Sequence, residues 1–174
     1  TCESLSIDIN ETKKNLETCT YIYDWLLSAG SERNSILISI GGGVTTDLVG
    51  FVASSWLRGL NVIHFPTSLA AMVDASIGGK TGVNFKHGKN LIGAFKQPLL
   101  IAMDTKSLDT LKKRELNSGW AEAIKHAFLF DKELLNTFQM QSEDIISKKN
   151  PVFTEIIKRS VQIKAEIVSK DEFE

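Results

Sequence analysis

The sequence predicts an α/β protein, a parallel-sheet domain over residues 1–104 followed by the beginning of an all-α domain over residues 105–174. Two observations carry this. Short β-branched runs alternate with helical patterns across a glycine turn in the first part, the spacing of a parallel layer with crossover helices. Beyond Asp104 only helical patterns follow. The boundary near residue 105 leaves a cleft between two kinds of structure, where ligand sites often form.

Taken in order, residues 11–29 read as a helix with Leu16, Tyr23 and Leu27 as its apolar stripe and Ala29-Gly30 as its stop. Ser35–Ile40 reads as a buried strand, broken by Gly41-Gly42-Gly43. A mostly apolar helix is expected over Thr46–Leu57, a strand over Asn61–Phe65 ended by Pro66, a helical start over Leu69–Val73, and a strand over Leu99–Met103. Residues 74–84 and 88–90 show no helical periodicity and read as polar loop. The second part predicts a short helix at Ser107–Arg114, a long one at Ser118–Phe130, and one at Lys132–Met140 capped by Asp131. A last helix opens at Asn150-Pro151.

Composition narrows the class. The chain has 174 residues, 43% hydrophobic and 24% charged, with a net charge of −1. Such a balance gives no basic field for nucleic acid or an anionic membrane, and no apolar run reaches the ~18 residues of a bilayer span. Residues 1–20 lack the apolar stretch of a signal peptide. Cys2 and Cys19 form no metal motif. These features favour a soluble cytoplasmic protein. A start on Thr and an end on Lys170-Asp171-Glu172-Phe173-Glu174, directly after a helical pattern, suggest an incomplete chain.

Four places carry candidate chemistry. Gly41-Gly42-Gly43 lies between strand and helix, where backbone N–H groups can meet a pyrophosphate, with Asp47 expected in the first helical turn. The spacing is not G-x-G-x-x-G, so a plain turn is the competing reading. Asp74, Lys80 and Asn84, with Gly88-Lys89-Asn90, gather lysines, an acid and amides around glycines. Lysines there suit an anion and asparagines suit hydroxyls, against a merely solvated loop. Gly79-Lys80-Thr81 mimics a P-loop tail, but Asp74 stands where the motif needs glycine. Glu122, Lys125 and His126 share one side of an apolar helix, either as a Glu–Lys surface pair or as part of a metal site whose third ligand comes from elsewhere. Lys164 continues the stripe Phe153, Ile157, Val161, Val168, so it either snorkels or serves an anion from the buried face.

Together the segments GGGVTTDLVGF, FPTSLAAMVDASIGGKTGVN, GKNLIGAFKQP and ELNSGWAEAIKHA resemble 3-dehydroquinate synthase, with similarity from about Glu11 to Glu174. The resemblance implies an NAD-binding α/β domain and a helical domain carrying Zn²⁺ or Co²⁺. It places Glu11 and Lys14 near the adenosine end of NAD. Gly42, Gly43 and Asp47 fall at the pyrophosphate and ribose, and Thr67 and Ser68 near the nucleotide. Asp74, Lys80, Lys89 and Asn90 fall near the nicotinamide and substrate, with Lys80, Lys125, Asp74 and Asn90 as the catalytic set. Arg58 would reach the substrate phosphate across a homodimer, Glu122 would bind the metal, and Lys125 and Lys164 would bind substrate. The implied substrate is 3-deoxy-D-arabino-heptulosonate 7-phosphate. It is oxidised at C5, loses phosphate by β-elimination, is reduced back and closes to 3-dehydroquinate.

Departures from the family pattern are Asn10 and Thr46, each in place of glycine, and Ser68 in place of threonine. Thr46 is expected to alter the approach to the pyrophosphate. The family's two histidine ligands, with an arginine and an asparagine of the substrate site, fall beyond residue 174, and His64, His87 and His126 are not at their positions. The expectation is therefore a chain that by itself lacks a complete metal site and is nearly inactive. Competing readings are a sister sugar phosphate cyclase of the 2-deoxy-scyllo-inosose or valiolone type, a metal-dependent polyol dehydrogenase, and a non-catalytic remnant. The unbroken SIGGKTGVN favours dehydroquinate synthase over its sisters.

Overall fold

The computed structural model describes residues 2–148, 150–171 and 173, so Thr1 and the Glu172 and Glu174 of the closing stretch lie outside it. The helices are α1 (Leu16–Ser28), α2 (Gly43–Ser55), α3 (Lys113–Phe130), α4 (Lys132–Met140), α5 (Ser142–Ile146) and α6 (Val152–Lys170). The strands are β1 (Ile36–Gly41), β2 (Asn61–Pro66), β3 (Lys80–Phe85), β4 (Gly88–Phe95) and β5 (Leu100–Ile101).

β1, β2 and β5 form a parallel sheet in that order, with Ile36 opposite Asn61 and Ile63 opposite Leu100. Side chains alternate along β1 as a strand requires. Leu37 and Ser39 point inward, while Ile36, Ile38 and Ile40 lie on an exposed face. α2 covers the inner face through Leu48, Val52 and Ala53, which join Leu37, Val62 and Val83 in one core. Inside it Ser39 Oγ and His64 Nδ1 lie 2.6 Å apart, so the two buried polar groups satisfy each other. Burial lowers the His64 pKa to about 4.

A second core lies among the helices, with Leu116, Trp120, Ala123, Ala127, Leu134 and Phe153 among its buried members. Leu69, Met72 and Val73, which follow β2, belong to this second core. They sit in a helical stretch that widens to a π-helix over Ala71–Ala75. Asp131 caps α4 as expected, accepting from the Leu134 N–H at 2.9 Å.

Four expectations need correction. The first helix begins at Leu16 after a 3-10 turn at Glu11–Lys13, because Asn10 and Asn15 each cap a separate start. Its buried face is Cys19, Ile22 and Leu26, whereas Leu27 is 72% exposed. Residues 80–95 form an antiparallel hairpin rather than a polar loop. Its two-residue turn, Lys86-His87, is not the usual Asn-Gly signal. Glycines also fill positions where side chains would show alternation: a Cβ on Gly93 would stand 2.5 Å from the Thr81 carbonyl oxygen. β5 covers only Leu100–Ile101 of the expected strand, and α3 absorbs the end of the short helix expected before it.

Gly119 marks where α3 crosses the Leu69–Ala70 backbone. A Cβ there would lie 2.5 Å from Leu69 Cβ and 2.6 Å from the Ala70 nitrogen. Glycine to alanine inside a helix usually gains about 1 kcal/mol. Gly119→Ala is expected to destabilise instead, by about 1–3 kcal/mol, because backbone must move. Urea unfolding checks this, and a variant as stable as the parent contradicts it.

Candidate functional site

Two groups of side chains meet the cleft beside the glycine turn. The first is built on Lys14, which is 3% exposed. Its ammonium donates to Asp47 Oδ2 and to Asn90 Oδ1, the latter at 2.6 Å. The Lys14 carbonyl in turn accepts from the Asn84 N–H at 2.8 Å. Asn84 Nδ2 donates to Glu11 Oε1 at 3.0 Å, and Lys89 Nζ lies 3.7 Å from the same oxygen. Asn90 holds φ at 53°, its N–H donating to Asn84 Oδ1 at 3.0 Å. The hairpin thus brings Glu11, Lys14, Asp47, Lys89 and Asn90 into one network. Burial raises the Asp47 carboxyl above its ordinary pKa, and the Lys14 ammonium offsets part of that.

The glycine turn lies alongside. α2 starts at Gly43 with Gly42 as its cap, so Asp47 stands one turn further in than expected. The first N–H groups of a helix have no partner within it. Thr67 donates its N–H to the Gly41 carbonyl at 2.8 Å, and a Cβ on Gly42 would stand 3.3 Å from Ser68 Oγ. Thr46 is buried, and its hydroxyl donates to the Gly43 carbonyl of the turn at 3.0 Å. Lys80 stands exposed at the start of β3. Arg58 is also exposed, with φ at 73°, at the end of the 3-10 turn that follows α2.

The second group joins segments from the two halves of the chain, Asp74 from the first and α3 and α6 from the second. Asp74, on the π-helix, pairs with Lys164 of α6 at 3.1 Å. On α3 the Lys125 ammonium lies against Glu122 Oε2, a buried oxygen outside hydrogen-bonding geometry with any partner. His126, one residue on, is 2% exposed, and its Nδ1 lies 2.7 Å from Ser160 Oγ. Burial lowers the His126 pKa, the lysines reinforce this, and Asp74 and Glu122 oppose it.

Among the described residues, Asp74, Glu122 and His126 form a group able to hold a metal ion, with one ligand atom from each all within 4.8 Å of one another. One imidazole and two carboxylates fit the chemistry of Zn²⁺ or Co²⁺. The Glu122 oxygen, which makes no hydrogen bond, and the oriented His126 fit as well. Sequence reasoning placed Glu122 and His126 on one side of a helix and looked elsewhere for a third ligand. In the structure Asp74 lies beside them, a proximity that only the folding of the π-helix onto α3 and α6 reveals.

Residues 4–118 match the family profile for the 3-dehydroquinate synthase N-terminal domain, and residues 119–174 match the C-terminal one. The chain belongs to the 3-dehydroquinate synthase family. A 3-dehydroquinate synthase of Synechocystis is 50% identical over 171 residues, 97% of this chain and 47% of the relative. One from Prochlorococcus marinus is 49% identical over 172 residues, 98% of this chain and 47% of the relative. The chain thus spans about half the length of these curated relatives.

Among solved structures, 2-epi-5-epi-valiolone synthase from Streptomyces hygroscopicus, with NAD⁺ and Zn²⁺ bound, is 34% identical. It superposes with a TM-score of 0.92 over 97% of this chain and 48% of its own. A 2-deoxy-scyllo-inosose synthase complexed with carbaglucose-6-phosphate, NAD⁺ and Co²⁺ is 27% identical, with a TM-score of 0.83 over 97% of this chain and 47% of its own. Glycerol dehydrogenase from Schizosaccharomyces pombe, 17% identical with a TM-score of 0.63, shares the fold alone.

Lys14 is the support of the first group. Lys14→Met is expected to cost about 1–3 kcal/mol, since it strands the Asp47 carboxylate and the Asn90 oxygen. Adding Asp47→Asn removes the stranded charge and is expected to recover part of the loss. Urea denaturation of both variants checks this, and an equal or larger loss in the double variant contradicts it.

Proposed function

We propose that this chain is part of an NAD- and divalent-metal-dependent 3-dehydroquinate synthase, a phosphate-eliminating carbon–oxygen lyase of the shikimate pathway and aromatic amino acid biosynthesis. We propose a cytoplasmic homodimer whose substrate is 3-deoxy-D-arabino-heptulosonate 7-phosphate, with no nucleic-acid or membrane partner. No helix among the described residues is long and apolar enough to cross a membrane. The observation that carries the reading is the meeting of the Asp74 and Glu122 carboxylates with their lysines beside the glycine turn, contributed by both halves of the chain.

The domains divide near residue 105. Gly42 and Gly43, with Thr67 and Ser68, line the turn for the NAD pyrophosphate, and Glu11, Lys14 and Asp47 hold its ribose and adenosine end. Glu122 holds the metal. NAD supplies reversible hydride acceptance, and the metal supplies a Lewis acid for hydroxyl and carbonyl oxygens. Lys14 occupies the Asn90 carbonyl oxygen, so the Asn90 amide offers its N–H₂ to a substrate oxygen. Asp74, paired with Lys164 of α6, would accept from a substrate hydroxyl. Lys80, Lys89, Lys125 and Lys164 bring positive charge to a substrate that carries a phosphate and a carboxylate. Arg58, exposed on its turn, serves the phosphate of the partner's site.

The higher identity to 3-dehydroquinate synthases than to the valiolone and inosose synthases favours the first substrate. The test is phosphate release by the protein carrying this chain, supplied with the heptulosonate phosphate, NAD and Zn²⁺. Turnover is expected, with kcat lowered about 10²-fold or more by Lys125→Met. Turnover of glucose 6-phosphate or sedoheptulose 7-phosphate instead would assign a sister cyclase. Net NADH from a simple polyol would assign a dehydrogenase.

A further inference from the structure

Three segments cross at Asn84: the N-terminal stretch that carries Glu11 and Lys14, strand β3, and strand β4. The Asn84 N–H donates to the Lys14 carbonyl at 2.8 Å. Its Nδ2 donates to the Glu11 carbonyl and to Glu11 Oε1, both at 3.0 Å. Those two bonds fix which way the side-chain amide points, because only its nitrogen can donate. Oδ1 is left to face β4, where it accepts the Asn90 N–H at 3.0 Å.

The hairpin is irregular at this place. Val83 pairs with Ile92 and Phe85 with Gly88. Lys89, Asn90 and Leu91 therefore stand against Asn84 alone, and β4 bulges. A bulge breaks the ladder locally and re-aims the side chains it carries. The Asn84 oxygen gives the Asn90 N–H a partner inside the break. With φ at 53°, Asn90 is in the left-handed region, which asparagine tolerates better than most residues. From there its Oδ1 accepts from the buried Lys14 ammonium at 2.6 Å. Asn90 is held at two points, by Asn84 through the backbone and by Lys14 through the side chain. Its Nδ2 therefore has a fixed direction.

We infer that Asn84 is a positioning residue: it holds the bulge at Lys89–Leu91 so that the Asn90 N–H₂ meets a substrate oxygen. The inference rests on the reading of Asn90 as a substrate contact. Asn84 acts through Asn90 and makes no bond to substrate itself. Misplacing a reacting or positioned group by about 1 Å can cost on the order of 10²-fold in rate. Losing one of two holding points is expected to cost about 10-fold or more.

The test is a double-mutant cycle on phosphate release by the whole protein carrying this chain, with the heptulosonate phosphate, NAD and Zn²⁺. Asn84→Ala is expected to lower kcat about 10-fold or more. In a protein that already carries Asn90→Ala, the same change is expected to cost less than about 2-fold, because the group it positions is gone. Asn84→Asp keeps an oxygen for the Asn90 N–H and is expected to be faster than Asn84→Ala. Equal losses from Asn84→Ala in both backgrounds would mean general structural damage and overturn the inference. So would an Asn84→Asp protein as slow as Asn84→Ala. Amide hydrogen exchange reads the same hold without substrate. The Asn90 N–H is expected to exchange about 10-fold faster in Asn84→Ala, with the α2 amides unchanged. An unchanged Asn90 rate overturns the inference. If the unmutated protein releases no phosphate from this substrate, the functional reading fails alone, and exchange still decides whether Asn84 holds Asn90.

Discussion

The ion pair between Asp74 and Lys164 joins the two halves of this chain beside the Glu122 and His126 side chains. Asp74 sits on a short π-helix whose other residues have fixed duties. Met72 and Val73 are buried in the helical core, and Ala75 lies against the glycine turn, 3.2 Å from where a Gly43 Cβ would be. Single π turns inside helices recur at functional sites. Here the widened turn keeps Met72 and Val73 in the core and Asp74 in the cleft. Gly119 lets α3 approach the preceding Leu69–Ala70 backbone, and that approach carries Glu122 and His126 toward Asp74.

Charge in the cleft is arranged in lysine–carboxylate pairs. Lys14 with Asp47 is the most deeply buried, and Lys89 with Glu11 the most open. A buried pair is no strong source of stability in itself, since desolvation cancels much of its attraction. Its use here is positional: Lys14 spans from the N-terminal segment to α2 and to the hairpin, fixing Asn90 in a left-handed backbone conformation. The outer lysines are more exposed than Lys14.

Much of this was legible in the sequence. The parallel strands, the glycine break, the Asp131 cap and the motif blocks are local patterns, and the structure and family match agree with them. Glu122 and His126 were also legible as neighbours on a helix. The hairpin was not, because Gly82, Gly93 and the Lys86-His87 turn conceal its alternation. The buried face of α1 was missed for another reason: Cys19 acts as a small apolar residue, so the true stripe runs one position away from the leucines. Asp74 as a partner of Glu122 and His126 depends on contacts between distant segments, which no local period encodes. The pairing of Lys14 with Asp47 spans 33 residues and is hidden for the same reason.

The central claim is that Asp74 and Lys164 couple the two halves of the chain through the site. A double-mutant cycle on unfolding free energy, using Asp74→Asn, Lys164→Met and the pair, tests it most directly. The account predicts that the double variant loses less than the sum of the single losses, with a coupling of about 0.5 kcal/mol or more. Losses that simply add would mean the pair is an incidental contact and would contradict the account.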